Sequence, residues 1–157
     1  MFSALQRTLV AHAALILFIA MLAGVGLLAS LVGGLEIWPG HILTFGLPAN
    51  PAAWARTHVG GILNALLILA VAFVVPGLGF EEARARMIGW LIIGTGWANT
   101  LFYWAAMWAP NRALTFGANR FGPPRPATPI GLLPALVFVL LSLVAVGLIA
   151  VQAWRKP

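Results

Sequence analysis

The sequence contains no cysteine and few charged residues of either sign. Without cysteine the chain can form no disulfide, iron–sulfur cluster or thiolate metal site, and it cannot attach haem covalently through a C-x-x-C-H motif. Charged residues make up 8% of its 157 residues, whereas a soluble domain carries about 25%. With 62% hydrophobic residues and a mean hydropathy of +1.00, this composition predicts an integral membrane protein.

Acidic residues are especially rare. Glu36, Glu81 and Glu82 all lie in predicted loops, so no predicted membrane span carries a carboxylate. This disfavours a proton-coupled transporter, whose relays lie within the bilayer, and it excludes the paired carboxylates of glycosidases. The sequence also has no glycine-rich phosphate loop, metal-ligand cluster or Ser–His–acid arrangement. Because the basic residues are scattered over loops and ends, we expect no nucleic-acid partner.

Four long stretches contain no Asp, Glu, Lys or Arg. Each exceeds the ~20 residues that a helix needs to cross a bilayer. We therefore predict an all-α integral membrane protein, a four-transmembrane-helix bundle in which residues 1–157 form a single domain. The predicted spans cover about residues 8–33, 57–77, 87–109 and 129–152.

The segment between the first two predicted spans, residues 36–54, is rich in turn-forming and aromatic residues. Pro39-Gly40 is typical of a turn, and the aromatic residues favour a re-entrant segment at the membrane interface. Asn50-Pro51 predicts the start of the second helix, with Asn50 as N-cap and Pro51 in the first turn.

Basic residues divide almost evenly between the two sides of a four-span arrangement, five against four. The positive-inside rule then favours the side with five, which places both termini in the cytoplasm. The arginines on the other side then need a reason, such as the binding of an anionic group. They are Arg56, Arg112, Arg120 and Arg125.

Thr95, Asn99 and Tyr103 recur at every fourth position of the otherwise apolar third span. This spacing aligns a hydroxyl, an amide and a phenol along one side of a helix. Polar groups in a membrane are costly unless they face a protein interior or a ligand. The row therefore indicates either a lined pocket or hydrogen bonds that join neighbouring helices, and the spacing alone fits both.

His58 opens the second span and is followed by Gly60 and Gly61. Its imidazole can ligate a metal or haem iron, with the glycines leaving room for a flat macrocycle, or it can simply hydrogen-bond within the protein. Asn64 lies about 120° around the helix from His58. A site that uses both residues needs them on different faces of the ligand, or from different subunits. His12, early in the first span, is expected to make a polar contact near the membrane surface.

Four motifs, in the same order and at matching separations, resemble the styrene oxide isomerase family of small bacterial membrane enzymes. The resemblance covers most of the chain, whereas the fourth span is similar only in hydrophobicity. The motifs are GVGLLASLVGGLEIWPG (Gly24–Gly40), WARTHVGGILN (Trp54–Asn64), GWANTLFY (Gly96–Tyr103) and PNRALTFGANRFGP (Pro110–Pro123).

The resemblance implies a fold, a cofactor and a reaction. Members of the family are four-helix proteins embedded in the lipid bilayer of the bacterial inner membrane, and they assemble as homotrimers that bind haem b non-covalently between subunits. By resemblance, His58 is the axial ligand of the ferric iron, and Asn64 and Tyr103 line the substrate side. The family's reaction is a Meinwald rearrangement, which converts small hydrophobic aryl epoxides such as styrene oxide to aldehydes.

The expected catalytic residues are Tyr103, Asn64, Thr95 and Asn99. Arg56 and Arg112 are the expected partners of the haem propionates, on the grounds of charge and predicted depth. Thr95 departs from the family, which usually carries an aspartate at this position. Because threonine offers only a neutral hydroxyl, we expect the departure to affect epoxide specificity more than haem binding.

Two other functions fit the residues. A haem-binding electron-transfer protein requires a second histidine facing His58, and His12 is the candidate within a span. A small transporter or assembly protein without a cofactor predicts a colourless purified protein, although the missing intramembrane carboxylate disfavours coupled transport.

Overall fold

The protein, described here over residues 2–155 by a computed structural model, is helical apart from one β-hairpin. In that range, three helices, α1, α2 and α4, are long and apolar enough to cross a membrane. The helix α3 is as long as α2, 27 residues, but it is less apolar because it begins with charged residues and carries the polar row of Thr95, Asn99 and Tyr103. The elements are α1 (Ala4–Val32), β1 (Gly34–Trp38), β2 (His41–Thr44), α2 (Pro51–Gly77), α3 (Glu82–Trp108) and α4 (Ala127–Arg155).

Capping residues define where the first two helices begin. Ser3 and Gln6 form a capping box at α1, in which each side chain accepts a hydrogen bond from the other residue's backbone N–H. At α2 the Asn50 side chain accepts from the Ala53 N–H at 2.9 Å, and Pro51 lies in the first turn. The predicted start of the second helix is thus confirmed.

The segment after α1 forms an antiparallel hairpin rather than a re-entrant segment. Leu35 pairs with Leu43, and Gly40, at φ 82°, makes the tight turn that Pro39-Gly40 predicts. The Gly40 N–H donates to the Glu36 carboxylate at 2.7 Å. The two short strands satisfy each other's backbone groups, which is why this stretch does not need to fold back into the bundle.

The helices pack side by side in an antiparallel order, with α2 between α1 and α3 and with α4 against α3. Small residues let the first pair approach closely, since a Cβ at Gly61 would lie 2.7 Å from the Ala20 Cβ. The centre of the bundle is filled by branched aliphatic side chains such as Ile16, Ile68 and Ile92, all fully buried. Much of α4 remains exposed and apolar, which suits contact with lipid or with another chain.

Candidate active site

The candidate site begins at the contact between the antiparallel helices α2 and α3. Residues four apart on α2, Gly60 and Asn64, contact residues four apart on α3, Tyr103 and Asn99. Gly60 packs against the Tyr103 ring, and any Cβ at Gly60 would overlap that ring. One turn further, the Asn99 Nδ2 donates to the Asn64 Oδ1 at 3.1 Å. Asn99 and Tyr103 of the polar row therefore both face α2.

The Asn64 amide is the most unusual polar group of this contact. Asn64 is only 7% exposed, and its Nδ2 is buried without any hydrogen-bond partner in the described part of the chain. Leaving a buried donor unpaired costs about 1–3 kcal/mol. An amide kept in this state is available to donate to the oxygen of a bound ligand.

The Tyr103 ring also lines a cavity of about 120 Å³ between α2, α3 and the loop that follows α3. Its apolar walls include Phe102, Met107 and Leu114. Arg56 and Arg112 line the same cavity. The two arginines predicted to bind a cofactor and the tyrosine predicted to bind substrate are therefore neighbours within one chain.

Thr95, the first member of the polar row, has different surroundings. Its hydroxyl donates to the Leu91 carbonyl at 2.8 Å and lies 3.4 Å from the Phe138 carbonyl of α4. Thr95 thus contacts α4, whereas Asn99 and Tyr103 contact α2. Here the row provides interhelical hydrogen bonding, one of the two interpretations that the spacing left open.

His58 faces α1, where its Nδ1 lies 2.8 Å from the Ala20 carbonyl oxygen. Because a carbonyl only accepts, Nδ1 carries the proton and the lone pair stays on Nε2, as in metal-ligating histidines. The imidazole rests on Gly24, where a Cβ would lie 2.7 Å from His58 Cε1. Gly24 was not predicted as a site residue, although Ala20 and Gly24 form the small-x-x-x-small pattern of close helix contacts.

These features fit an axial ligand of haem iron, which needs one imidazole with a fixed tautomer. Among residues 2–155 no group of three or more His, Cys, Asp or Glu side chains comes together, so His58 stands as a single imidazole donor. The structure does not, however, support the predicted role of Gly60 and Gly61 in leaving room for a macrocycle. Gly60 gives room to the Tyr103 ring and Gly61 to α1, so neither leaves a gap beside the backbone for a macrocycle.

Within one chain, His58 and Tyr103 lie on opposite sides of α2. His58 contacts α1, while Gly60, about 200° further around the helix, contacts the Tyr103 ring. Within one protomer, His58 therefore projects from α2 toward α1, whereas the Tyr103 ring packs against α2 at Gly60. The sequence predicts that His58 and Asn64 can share a ligand only from different faces of that ligand or from different subunits. The same condition applies to His58 and Tyr103.

His12 is engaged elsewhere. Its Nδ1 accepts a hydrogen bond of 3.0 Å from the Trp97 indole N–H, and its ring meets the Trp90 ring edge-on. Ala20, the contact of His58, lies eight residues along α1 from His12, a rise of ~12 Å. In one chain the two imidazoles therefore do not face a common ligand.

Comparisons with known proteins identify the family of this chain. The sequence profile described as styrene oxide isomerase matches residues 5–154. A relative from Pseudomonas fluorescens, named styrene-oxide isomerase, is 45% identical over 156 residues, which cover 99% of this chain and 92% of the relative. On both grounds this chain belongs to the styrene oxide isomerase family.

Proposed function

We propose that this chain is an isomerase that converts aryl epoxides of the styrene oxide type to aldehydes. The observation that carries the proposal is the buried Asn64 Nδ2, which has no hydrogen-bond partner among the described residues and lies one helical turn from the Gly60–Tyr103 contact, because such a donor suits an epoxide oxygen. Family membership favours this function over electron transfer or transport. The hydrogen bond between His12 and Trp97 further disfavours a bis-histidine haem within one chain.

The proposed protein is a single four-span domain of the bacterial inner membrane with both termini in the cytoplasm. Support for a fourth span comes from the position of α3, which packs between α2 and α4, two helices apolar enough to cross a membrane. Its 27 residues extend for ~40 Å. A helix of that length, packed between two helices apolar enough to span, supports a fourth span.

The proposed cofactor is non-covalent haem b, held by His58 through Nε2 and by Arg56 and Arg112 through its propionates. When bound, ferric haem supplies a Lewis acid for the epoxide oxygen. Because His58 and Tyr103 lie on opposite sides of α2, we propose that the complete site forms between neighbouring copies in a homotrimer. One copy contributes His58 and the next contributes Tyr103, Asn64 and the arginines.

The residues of the chain then have distinct roles in the rearrangement. The Tyr103 O–H and the Asn64 N–H donate to the epoxide oxygen, which gains negative charge as the benzylic C–O bond breaks. A hydride moves from the neighbouring carbon to the benzylic carbon, and an oxygen lone pair completes the aldehyde C=O. No water or external electron is consumed. The apolar side chains of Phe102 and Met107 beside Tyr103 limit contact with water, which would trap the cation as a diol.

The first test is an absorption spectrum of the detergent-purified protein, followed by addition of styrene oxide and chromatography of the products. We expect a Soret band and phenylacetaldehyde. Protein that takes up no haem even after supplementation, and that leaves the epoxide unchanged, contradicts the proposal. If the protein binds haem but does not convert styrene oxide, the proposed cofactor stands and the proposed reaction is wrong.

Tyr103→Phe tests the role of the phenol. Loss of a hydrogen bond that strengthens in the transition state should lower turnover about 10–100-fold, with the Soret band unchanged. Thr100→Val is the matched control, since the Thr100 hydroxyl donates to the Gly96 carbonyl of its own helix at 2.7 Å. Undiminished turnover in Tyr103→Phe rules out this role.

A further inference from the structure

A cleft of about 470 Å³ lies at the end of the bundle where α2 begins and α3 ends. Three arginines line it, Arg56, Arg112 and Arg125, and no lining residue is acidic. Elsewhere in the described chain the Glu36 carboxylate accepts from Gly40, and Glu82 pairs with Arg86 at the other end of α3. The cleft is therefore a cationic cavity whose charge the lining residues do not balance.

The backbone that carries Arg112 is held in an unfavourable conformation. Arg112 and Ala113 have φ values of 57° and 51°, a left-handed geometry that costs roughly 1–2 kcal/mol for each residue other than glycine. The fully buried Asn111 side chain maintains it by accepting from the Ala113 N–H at 3.1 Å and donating to the Thr115 carbonyl at 2.7 Å. Strain maintained in this way is typical of functional positions.

The strained backbone brings the Arg112 guanidinium to 3.7 Å from the centroid of the Phe121 ring, which also lines the cleft. Stacking on an aromatic face leaves the N–H groups at the guanidinium edge free to bind an anion in the ring plane. Arg112 is thus positioned before any ligand arrives.

The cleft adjoins the candidate active site. Arg56, Arg112 and Met107 line both the cleft and the Tyr103 cavity. Trp108, half exposed, lies at the rim, and tryptophan at the end of a membrane helix favours the level of the lipid headgroups. An occupant of the cleft therefore lies both at the membrane interface and next to Tyr103.

We infer that this cleft binds an oxyanion, a carboxylate or a phosphate group, and that Arg125 from the segment before α4 is the third cation of the site. Two groups can supply such an oxyanion at the level of the membrane interface: a haem propionate and the phosphate of a phospholipid headgroup. The propionate source rests on the proposed function, whereas the phosphate source is independent of it.

The propionate source is tested by titrating the full-length chain, prepared haem-free, with ferric haem b and with haem dimethyl ester, which lacks the two carboxylates. If propionates occupy the cleft, wild-type protein binds haem b about tenfold more tightly than the ester, and Arg112→Gln and Arg125→Gln each reduce this ratio severalfold. Arg84→Gln is the control, because it removes the same charge from the opposite end of α3. The Soret absorbance reports binding without any turnover.

The phosphate source is tested by thermal unfolding in detergent with added phosphatidylglycerol or with diacylglycerol, which lacks the phosphate. If a lipid phosphate occupies the cleft, only phosphatidylglycerol raises the midpoint by a few degrees, and Arg125→Gln loses that rise. The inference is overturned if both haems bind equally and no lipid shift depends on Arg112 or Arg125. Failure of the proposed function is recognised separately, by the lack of any Soret band that depends on His58.

Discussion

At the scale of single residues, the Nδ1 hydrogen bond of His58 to the Ala20 carbonyl determines which nitrogen is free to ligate. This bond makes Nδ1 the donor, so in the neutral imidazole the lone pair available to a metal is on Nε2. The His12 ring in turn accepts from Trp97 through its own Nδ1. The two histidines are therefore distinguishable by experiment, although the sequence offers both as candidate ligands.

We expect His58→Ala to lose most of the Soret absorbance of the purified protein, because the imidazole is the proposed axial ligand. His12→Ala should retain it and change only the tryptophan fluorescence, since Trp97 loses its acceptor. Absorption and fluorescence spectra of the two variants show which histidine ligates the haem iron. Full retention of haem in His58→Ala would mean that another residue ligates the iron, and loss in His12→Ala would restore the bis-histidine alternative.

Thr95 was expected to take part in catalysis, and its hydrogen bonds now suggest a test of that expectation. Because the hydroxyl already bonds the Leu91 carbonyl, Thr95→Val should lower the free energy of unfolding by about 1 kcal/mol and leave epoxide turnover close to wild type. Thermal unfolding and product formation are measured on the same preparation. A large fall in turnover at unchanged stability would place Thr95 in the catalytic set after all.

At the scale of whole elements, a tether between α1 and α2 follows from the chemistry of proline. Pro76 lies inside α2 and has no N–H, so the carbonyl of Ala72, four residues earlier, loses its helical partner. The Gln6 side chain of α1 donates to that carbonyl at 3.2 Å. Since Ala72 is fully buried, solvent does not replace this bond.

We expect Gln6→Leu to lower the free energy of unfolding by about 1–3 kcal/mol, the cost of a buried carbonyl left unpaired. Adding Pro76→Ala should recover much of that loss, because the restored N–H at position 76 can bond the Ala72 carbonyl directly. Thermal unfolding of the two single variants and the double variant forms a mutant cycle that measures the coupling. Simple additivity of the two changes would contradict the tether.

The elements could be predicted from sequence to the extent that local patterns determine them. Runs without charge predicted four helices, and Asn50-Pro51 predicted where α2 begins, because capping depends on neighbouring residues alone. The hairpin was missed, since the pairing of Leu35 with Leu43 depends on contacts across a turn. The sequence also did not predict which neighbouring helix each side chain contacts, because this depends on how each helix is rotated about its axis when it packs.

At the scale of the whole molecule, the geometry of α2 sets the strongest constraint on assembly. His58 contacts α1 and the Tyr103 ring contacts Gly60 on the other side of the helix. If both serve one haem and one epoxide, the active site is shared between copies, and each copy contributes to two sites. A chain lacking His58 and a chain lacking the Tyr103 phenol would then complement each other.

This expectation is tested by producing His58→Ala and Tyr103→Phe chains together in one membrane. If the copies assemble as the proposed trimer and mix at random, about one quarter of the interfaces combine an intact His58 with an intact Tyr103, so turnover should rise well above the sum of the two variants alone. The matched control mixes wild type with the double variant: about one quarter of sites survive if each site is shared, but about one half if each lies within one chain. No recovery in the first mixture, together with half activity in the control, would mean that each chain carries a complete site and that α2 must rotate to unite His58 with Tyr103.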